Sequence, residues 1–105
     1  MRKIYGIGET VFDIIFKNGK PQAAKPGGAM LNSIVSLGRV GQPVHFISEY
    51  ADDDVGSLID SFLHSNGVDT SFVHHYRDGK TKLALAFLNE RNDASYTFYE
   101  KYSEK

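Results

Sequence analysis

The chain has 105 residues, 41% of them hydrophobic, and 12 Lys and Arg set against 13 Asp and Glu leave a formal net charge of −1. That length suits one domain with a modest core, and the even charge balance excludes the basic footprint of a nucleic-acid-binding surface. With no cysteine, disulfide and thiolate chemistry are excluded. No run nears the ~20 apolar residues of a membrane span, and Met1 to Gly8 lacks the apolar stretch of a signal peptide, so the expectation is a soluble, cytoplasmic protein.

Lys3 to Gly8 reads as a short buried strand whose Gly-x-Gly end opens onto a site. Val11 to Phe16 is a second apolar run, interrupted by Asp13. Two readings of that carboxylate stand: an edge or bulge Asp in water, or an acceptor for ligand hydroxyls at a strand end. Lys17-Asn18-Gly19-Lys20 is a tight hairpin signal, with Pro21 to Ala24 as the returning strand. Lys25-Pro26-Gly27-Gly28 then leads into an apolar-periodic run from Met30 to Val40. Proline keeps Lys25 extended, and the glycines allow close approach to the main chain. The free N–H groups of the helix that follows face whatever lies over the loop. Asn32, in the first turn, has an amide that both donates and accepts, which suits a polyhydroxylated ligand. This stretch reads either as the floor of a small-molecule site or as an ordinary loop-to-helix turn.

Gly38 and Gly41 are expected to loosen and stop this helix, with Arg39 in its last turn, where a cation suits the dipole. Val44 to Ser48 is a further strand. Val55, Leu58, Ile59, Phe62 and Leu63 fall at i, i+3, i+4, i+7 and i+8, a strong helix signal. The acidic run Asp52-Asp53-Asp54 caps it; it lacks the loop pattern of a calcium site, so no metal is assigned. Asn66-Gly67 ends the helix. Phe72-Val73 is expected as a short strand. The adjacent His74 and His75 would point to opposite faces and cannot easily share a metal. Thr81 to Leu88 and Ser95 to Tyr102 are the last strand candidates. Tyr96 and Phe98 alternate on one face of the second, either as hairpin packing or as an apolar wall over a ligand. The alternation of strands and helices points to an α/β fold with a mostly parallel sheet.

Taken in order, these stretches resemble the N-terminal third of the ribokinase-like (PfkB) carbohydrate kinase family. Ile4 to Asp13 is similar to the family's first strand and its sugar-binding aspartate. Gly27-Gly28-Ala29-Met30-Leu31-Asn32 is similar to the Gly-Gly-x-x-x-Asn signature. Phe46 to Gly56 resembles Gly-x-Val-Gly-x-Asp-x-x-Gly, with Ser48 and Ala51 in place of two glycines. Asn66 to Thr70 is similar to the Gly-Val-Asp-Thr segment, and Lys80 to Ala84 to Pro-Thr-x-x-Ala. Met30 and Glu100 depart from the pattern, while Glu9 and Ala29 resemble fructokinase-type members more than ribokinases.

The resemblance implies part of a three-layer α/β sandwich, with the core at about 1–10 and 27–75. It adds a small β-lid built from hairpins at about 11–26 and 80–102. It also implies phosphoryl transfer from ATP, with Mg²⁺, to a sugar hydroxyl. Asp13, Gly27, Gly28 and Asn32 would bind the sugar, Tyr96 and Phe98 would sit in the lid, and a homodimer would form through the lid. The family's Gly-Ala-Gly-Asp motif, which carries the catalytic base, is not found in this chain. The 105 residues are therefore expected to be a non-catalysing fragment; the alternative is a truncated sugar-binding or lid-mediated assembly module.

Overall fold

The computed structural model describes residues 2–101 of the chain. Among the described residues, nine strands and two helices follow in the order β1 (Ile4–Ile7), β2 (Val11–Lys17), β3 (Lys20–Gly27), α1 (Ala29–Arg39), β4 (Val44–Ile47), β5 (Glu49–Ala51), α2 (Asp54–Ser65), β6 (Val68–Asp69), β7 (His74–Tyr76), β8 (Lys80–Leu88) and β9 (Ala94–Lys101). They form three sheets. A parallel sheet runs β1-β4-β6, a small parallel pair joins β5 to β7, and a four-stranded sheet runs β3-β2-β8-β9.

Alternation along β4 turns Val44 and Phe46 toward the helices. They form one buried cluster with Leu31, Ile34 and Val35 of α1, Ile59 and Leu63 of α2, and Val68 of β6. Phe46, Ile59 and Leu63 are wholly buried, and each such side chain contributes about 1.5–3 kcal/mol. Asp53 caps α2, accepting from the Gly56 N–H at 2.7 Å. Gly38 does not loosen α1. It lies inside the helix and is buried, because a Cβ there would strike the Asn66 carbonyl oxygen and come within 3.2 Å of Val68. Gly41, at φ 85°, follows the end of the helix.

The four-stranded sheet is built from two hairpins laid side by side. Asn18 and Gly19 take φ of 54° and 74°, the left-handed pair that a two-residue hairpin turn needs. β2 and β8, seventy residues apart in sequence, pair in parallel at its centre, from Phe12↔Leu83 to Lys17↔Leu88. The expected strand at Phe72-Val73 is not one; the pairing residues are His74–Tyr76. Asp69 takes both the N–H and the hydroxyl of Ser71 at 2.8 and 2.6 Å, and the Val73 N–H donates to Thr70 O at 3.0 Å. These local bonds hold the segment in a turn. Tyr102, expected in the last strand, lies outside the described residues. Among the described residues, no helix is long and apolar enough to cross a membrane.

Candidate functional site

Asp13 occupies a central position in the four-stranded sheet. Its backbone pairs with Lys25 on one side and Ala84 on the other, and Ala84 pairs in turn with Phe98. The neighbouring row is Ala23, Ile15, Ala86 and Tyr96. Residues directly opposite in a ladder share a face, so Asp13, the small side chains Ala84 and Ala86, and the rings of Tyr96 and Phe98 stand together. A hollow of ≈ 270 Å³ opens there, lined by Asp13, Lys25, Ala84, Ala86 and Tyr96 among others. Tyr96 and Phe98 stack at 6.3 Å and are 63% and 56% exposed. Both rings are therefore available to a ligand or to another layer of protein.

The Asp13 carboxylate is half-buried. Burial raises its pKa from the ordinary carboxylate value, and the Lys25 ammonium pulls it back down. The carboxylate rests on Gly27: a Cβ at that position would land on Oδ2 and come within 2.8 Å of Cγ. Gly27 thus makes room for a charged group rather than supplying an unusual backbone angle. Gly28 does supply one. Its φ is 124°, and a Cβ there would lie 2.5 Å from the Glu9 carbonyl oxygen. It is also the N-cap of α1, and no side chain caps that helix. The first-turn N–H groups are therefore left to water or a ligand oxygen.

Asn32 donates its backbone N–H to Gly28 O at 3.0 Å, so the two residues are one helical turn, about 6 Å, apart along the axis. Asp13 touches Gly27, Gly28 follows it and caps α1, and Asn32 lies one turn into that helix. The Asn32 side chain is exposed, and it lines neither this hollow nor the larger one beside it. Phe98 likewise lines neither hollow.

The larger hollow, ≈ 390 Å³, lies where β1 and β4 end, among Gly8, Glu9, Thr10, Ile47, Ser48 and Lys82. It falls in the size range of small-molecule sites, about 300–1,000 Å³. Thr10 and Ser48 close its floor with a 2.7 Å hydroxyl bond. The carboxyl ends of parallel strands are the usual place for ligands in open α/β sheets. Lys82 lines this hollow, and its Nζ sits 5.0 Å over the Phe98 ring and 3.5 Å from Glu100. Sequence reasoning missed Lys82, Ala84 and Ala86 as lining residues. The one available signal was Ala84-x-Ala86, small side chains on alternate positions, which leaves space on one face of a strand.

Three comparisons relate the chain to known proteins. The family model "pfkB family carbohydrate kinase" matches residues 1–105. A fructokinase of Escherichia coli is 30% identical over 96 residues, covering 91% of this chain and 31% of the relative, and an aminoimidazole riboside kinase of Salmonella typhimurium is 29% identical over 98 residues. The crystal structure of a fructokinase with bound ATP from Xylella fastidiosa superposes with a TM-score of 0.80 at 26% identity, covering 92% of this chain and 32% of that one. The chain thus spans about a third of the length of the curated relatives it matches. The nine strands and two helices are a partial ribokinase-like fold, and the chain belongs to the pfkB family of carbohydrate kinases.

Proposed function

We propose that this chain is the sugar-binding part of an ATP-dependent sugar kinase with a fructose-like substrate. The observation that carries the reading is the Asp13 carboxylate seated on Gly27, beside an uncapped helix start that bears Asn32. A carboxylate accepts two or more sugar O–H bonds, and hydrogen bonds to a charged acceptor are the strong ones. The Asn32 amide adds a donor and an acceptor. Gly27 leaves the room in which the Asp13 carboxylate is seated, and Gly28 turns the chain into the helix start. Desolvation of Asp13, which raises its pKa, also strengthens every hydrogen bond it accepts.

In this reading, residues 11–26 and 80–102 act as the lid, with Tyr96 and Phe98 as the wall that excludes water over the sugar. The opposite face of the same sheet carries Ile14, Phe16 and Phe87, with Phe16 and Phe87 stacked at 5.2 Å. An apolar second face favours a homodimer built through the lid. ATP would supply the γ-phosphoryl group, and Mg²⁺ its charge neutralisation. Among the described residues, no three His, Asp or Glu side chains are placed to hold a metal ion, so no step is assigned to them there. The residues of this chain bind and orient the acceptor; the base and the anion hole belong to the parent protein beyond the matched third. A cytoplasmic location completes this reading. Likeness to an aminoimidazole riboside kinase favours, as a second reading, a riboside in place of fructose.

The test is fructose-dependent ADP release. The parent enzyme is expected to turn over, to lose activity at least ~100-fold with Asp13→Asn, and to prefer fructose to a riboside. This chain alone is expected to release none. Robust turnover by the chain alone refutes the division of labour, and wild-type activity in Asp13→Asn refutes the site.

A further inference from the structure

The ladder between β8 and β9 slips by one residue. Lys80 pairs with Lys101, yet Leu83 pairs with Tyr99, and that shifted register continues to Leu88↔Ala94. Thr81 and Lys82 are the two residues set against Glu100. The strand bulges where its hydrogen bonds are taken by another group. The Thr81 N–H donates to Asp53 Oδ2 at 3.0 Å and its hydroxyl donates to Asp53 Oδ1 at 2.7 Å, while Thr81 Oγ1 accepts the Ala51 N–H at 3.0 Å. Thr81 is 3% exposed. The same Asp53 oxygen that takes the Thr81 hydroxyl also caps α2. One carboxylate therefore ties the base of β8 to the start of a core helix.

A one-residue slip turns every side chain of a strand to the other face. Had the ladder continued unshifted from Lys80, Ala84 would stand opposite Thr97, and Phe98 would stand opposite Leu83, away from Asp13. The observed slip sets Phe98 opposite Ala84 and Tyr96 opposite Ala86, in the rows that also hold Asp13 and Ile15. It also brings Lys82 over the Phe98 ring.

We propose that Asp53 is a positioning residue: by capturing Thr81 it holds the bulge at Thr81–Lys82, and so keeps the Tyr96 and Phe98 rings on the Asp13 face. This deepens, and rests on, the reading of that face as the sugar side. A carboxylate is suited to the task because it can accept from the cap and the strand at once; a serine at position 53 can keep the cap but not both.

Nuclear magnetic resonance on the ¹⁵N,¹³C-labelled chain, with fructose titration, tests the proposal through Asp53→Ser, Thr81→Val and Thr81→Ser. In Asp53→Ser and Thr81→Val, the cross-strand contacts of Ala84 with Phe98 are expected to broaden or move to Thr97. Amide exchange at Thr81 and Leu83 should quicken while Ile59 and Leu63 stay protected, and fructose affinity should fall about tenfold. Thr81→Ser should behave as wild type. If Asp53→Ser unfolds the chain, Thr81→Val carries the same test with the cap to Gly56 left in place. Unchanged Ala84–Phe98 contacts and unchanged exchange in the Val variant overturn the proposal. If the contacts move as expected but wild-type chain shows no fructose-dependent shifts, the anchor stands and the sugar reading falls.

Discussion

Gly27→Ala separates the position of the Asp13 carboxylate from its charge. Gly27 needs no left-handed backbone, so alanine brings no main-chain strain; its only effect is the methyl group. That methyl would land on Oδ2, 2.8 Å from Cγ and 3.3 Å from Oδ1. Ordinary van der Waals contact lies near 3.5–4.0 Å, so the carboxylate must withdraw by about 1 Å or more. Overpacking of this kind costs about 1–3 kcal/mol, offset by about 0.4–1 kcal/mol from the reduced freedom of the unfolded chain. The net loss of stability is therefore modest, between ~0 and ~2.5 kcal/mol. Binding should suffer more. Hydrogen bonds to a charged group are worth about 1.5–3 kcal/mol, so losing the alignment of one weakens fructose binding between ~10- and ~100-fold. Urea unfolding and calorimetric titration read the two effects separately. A double-mutant cycle completes the test: in an Asp13→Ala background there is no carboxylate to strike, so Gly27→Ala should cost nothing or stabilise. Full fructose affinity in folded Gly27→Ala, or an unchanged stability cost in the Asp13→Ala background, refutes the reasoning.

Other expectations follow from the same geometry. Burial raises the Asp13 pKa against the pull of Lys25, so the folded state holds that proton more tightly than the unfolded chain does. This contribution favours folding below the unfolded carboxylate value near 3.9 and is lost as pH rises through the folded value. Asp13→Asn should accordingly leave the fold as stable or more stable at pH 7 in urea melts while fructose binding is lost; a clear destabilisation contradicts this. Asp53 behaves oppositely. Burial disfavours its charge, but the bonds from Thr81 and Gly56, with Lys80 nearby, prevail and lower its pKa. Its contribution is present above the unfolded value and disappears as pH falls through the lower folded one. Asp53→Asn should flatten the acid limb of the stability profile, and an unaltered limb counts against the network. Gly38→Ala gains about 1 kcal/mol of helix propensity but forces a methyl against the Asn66 carbonyl, so a net loss of up to about 2 kcal/mol is expected in thermal melts. Leu63→Ala, at a fully buried site, should cost about 2–5 kcal/mol.

Much of this was legible in the sequence because it is local. Asn18-Gly19 announced a tight turn, the apolar spacing from Val55 to Leu63 announced α2, and the acidic run Asp52-Asp53-Asp54 announced its cap, which the structure gives to Asp53. The proposed site of Asp13, Gly27, Gly28 and Asn32 could be drawn from the sequence because β2, β3 and α1 are consecutive. What escaped is set by non-local pairing. β5 is three residues long, too short to show a period. The parallel pairing of β2 with β8, which brings Ala84 and Ala86 beside Asp13, joins segments separated by two helices. Phe72-Val73 looked like a strand, but the Asp69 side chain offered that backbone a competing turn. The second role of Asp53 was hidden for the same reason: a capping aspartate looks alike in sequence whether or not a threonine 28 residues on reaches its free oxygen.

The central claim is that Asp13, Gly27, Gly28 and Asn32 meet one sugar at one corner. Titrating the ¹⁵N-labelled chain with D-fructose into the ~10 mM range, where millimolar sites saturate, tests it directly. Saturable shifts at the amides of these four residues and at the Asn32 side-chain NH₂, absent in Asp13→Asn, are the predicted result. Saturable shifts that cluster elsewhere and persist in Asp13→Asn would contradict it.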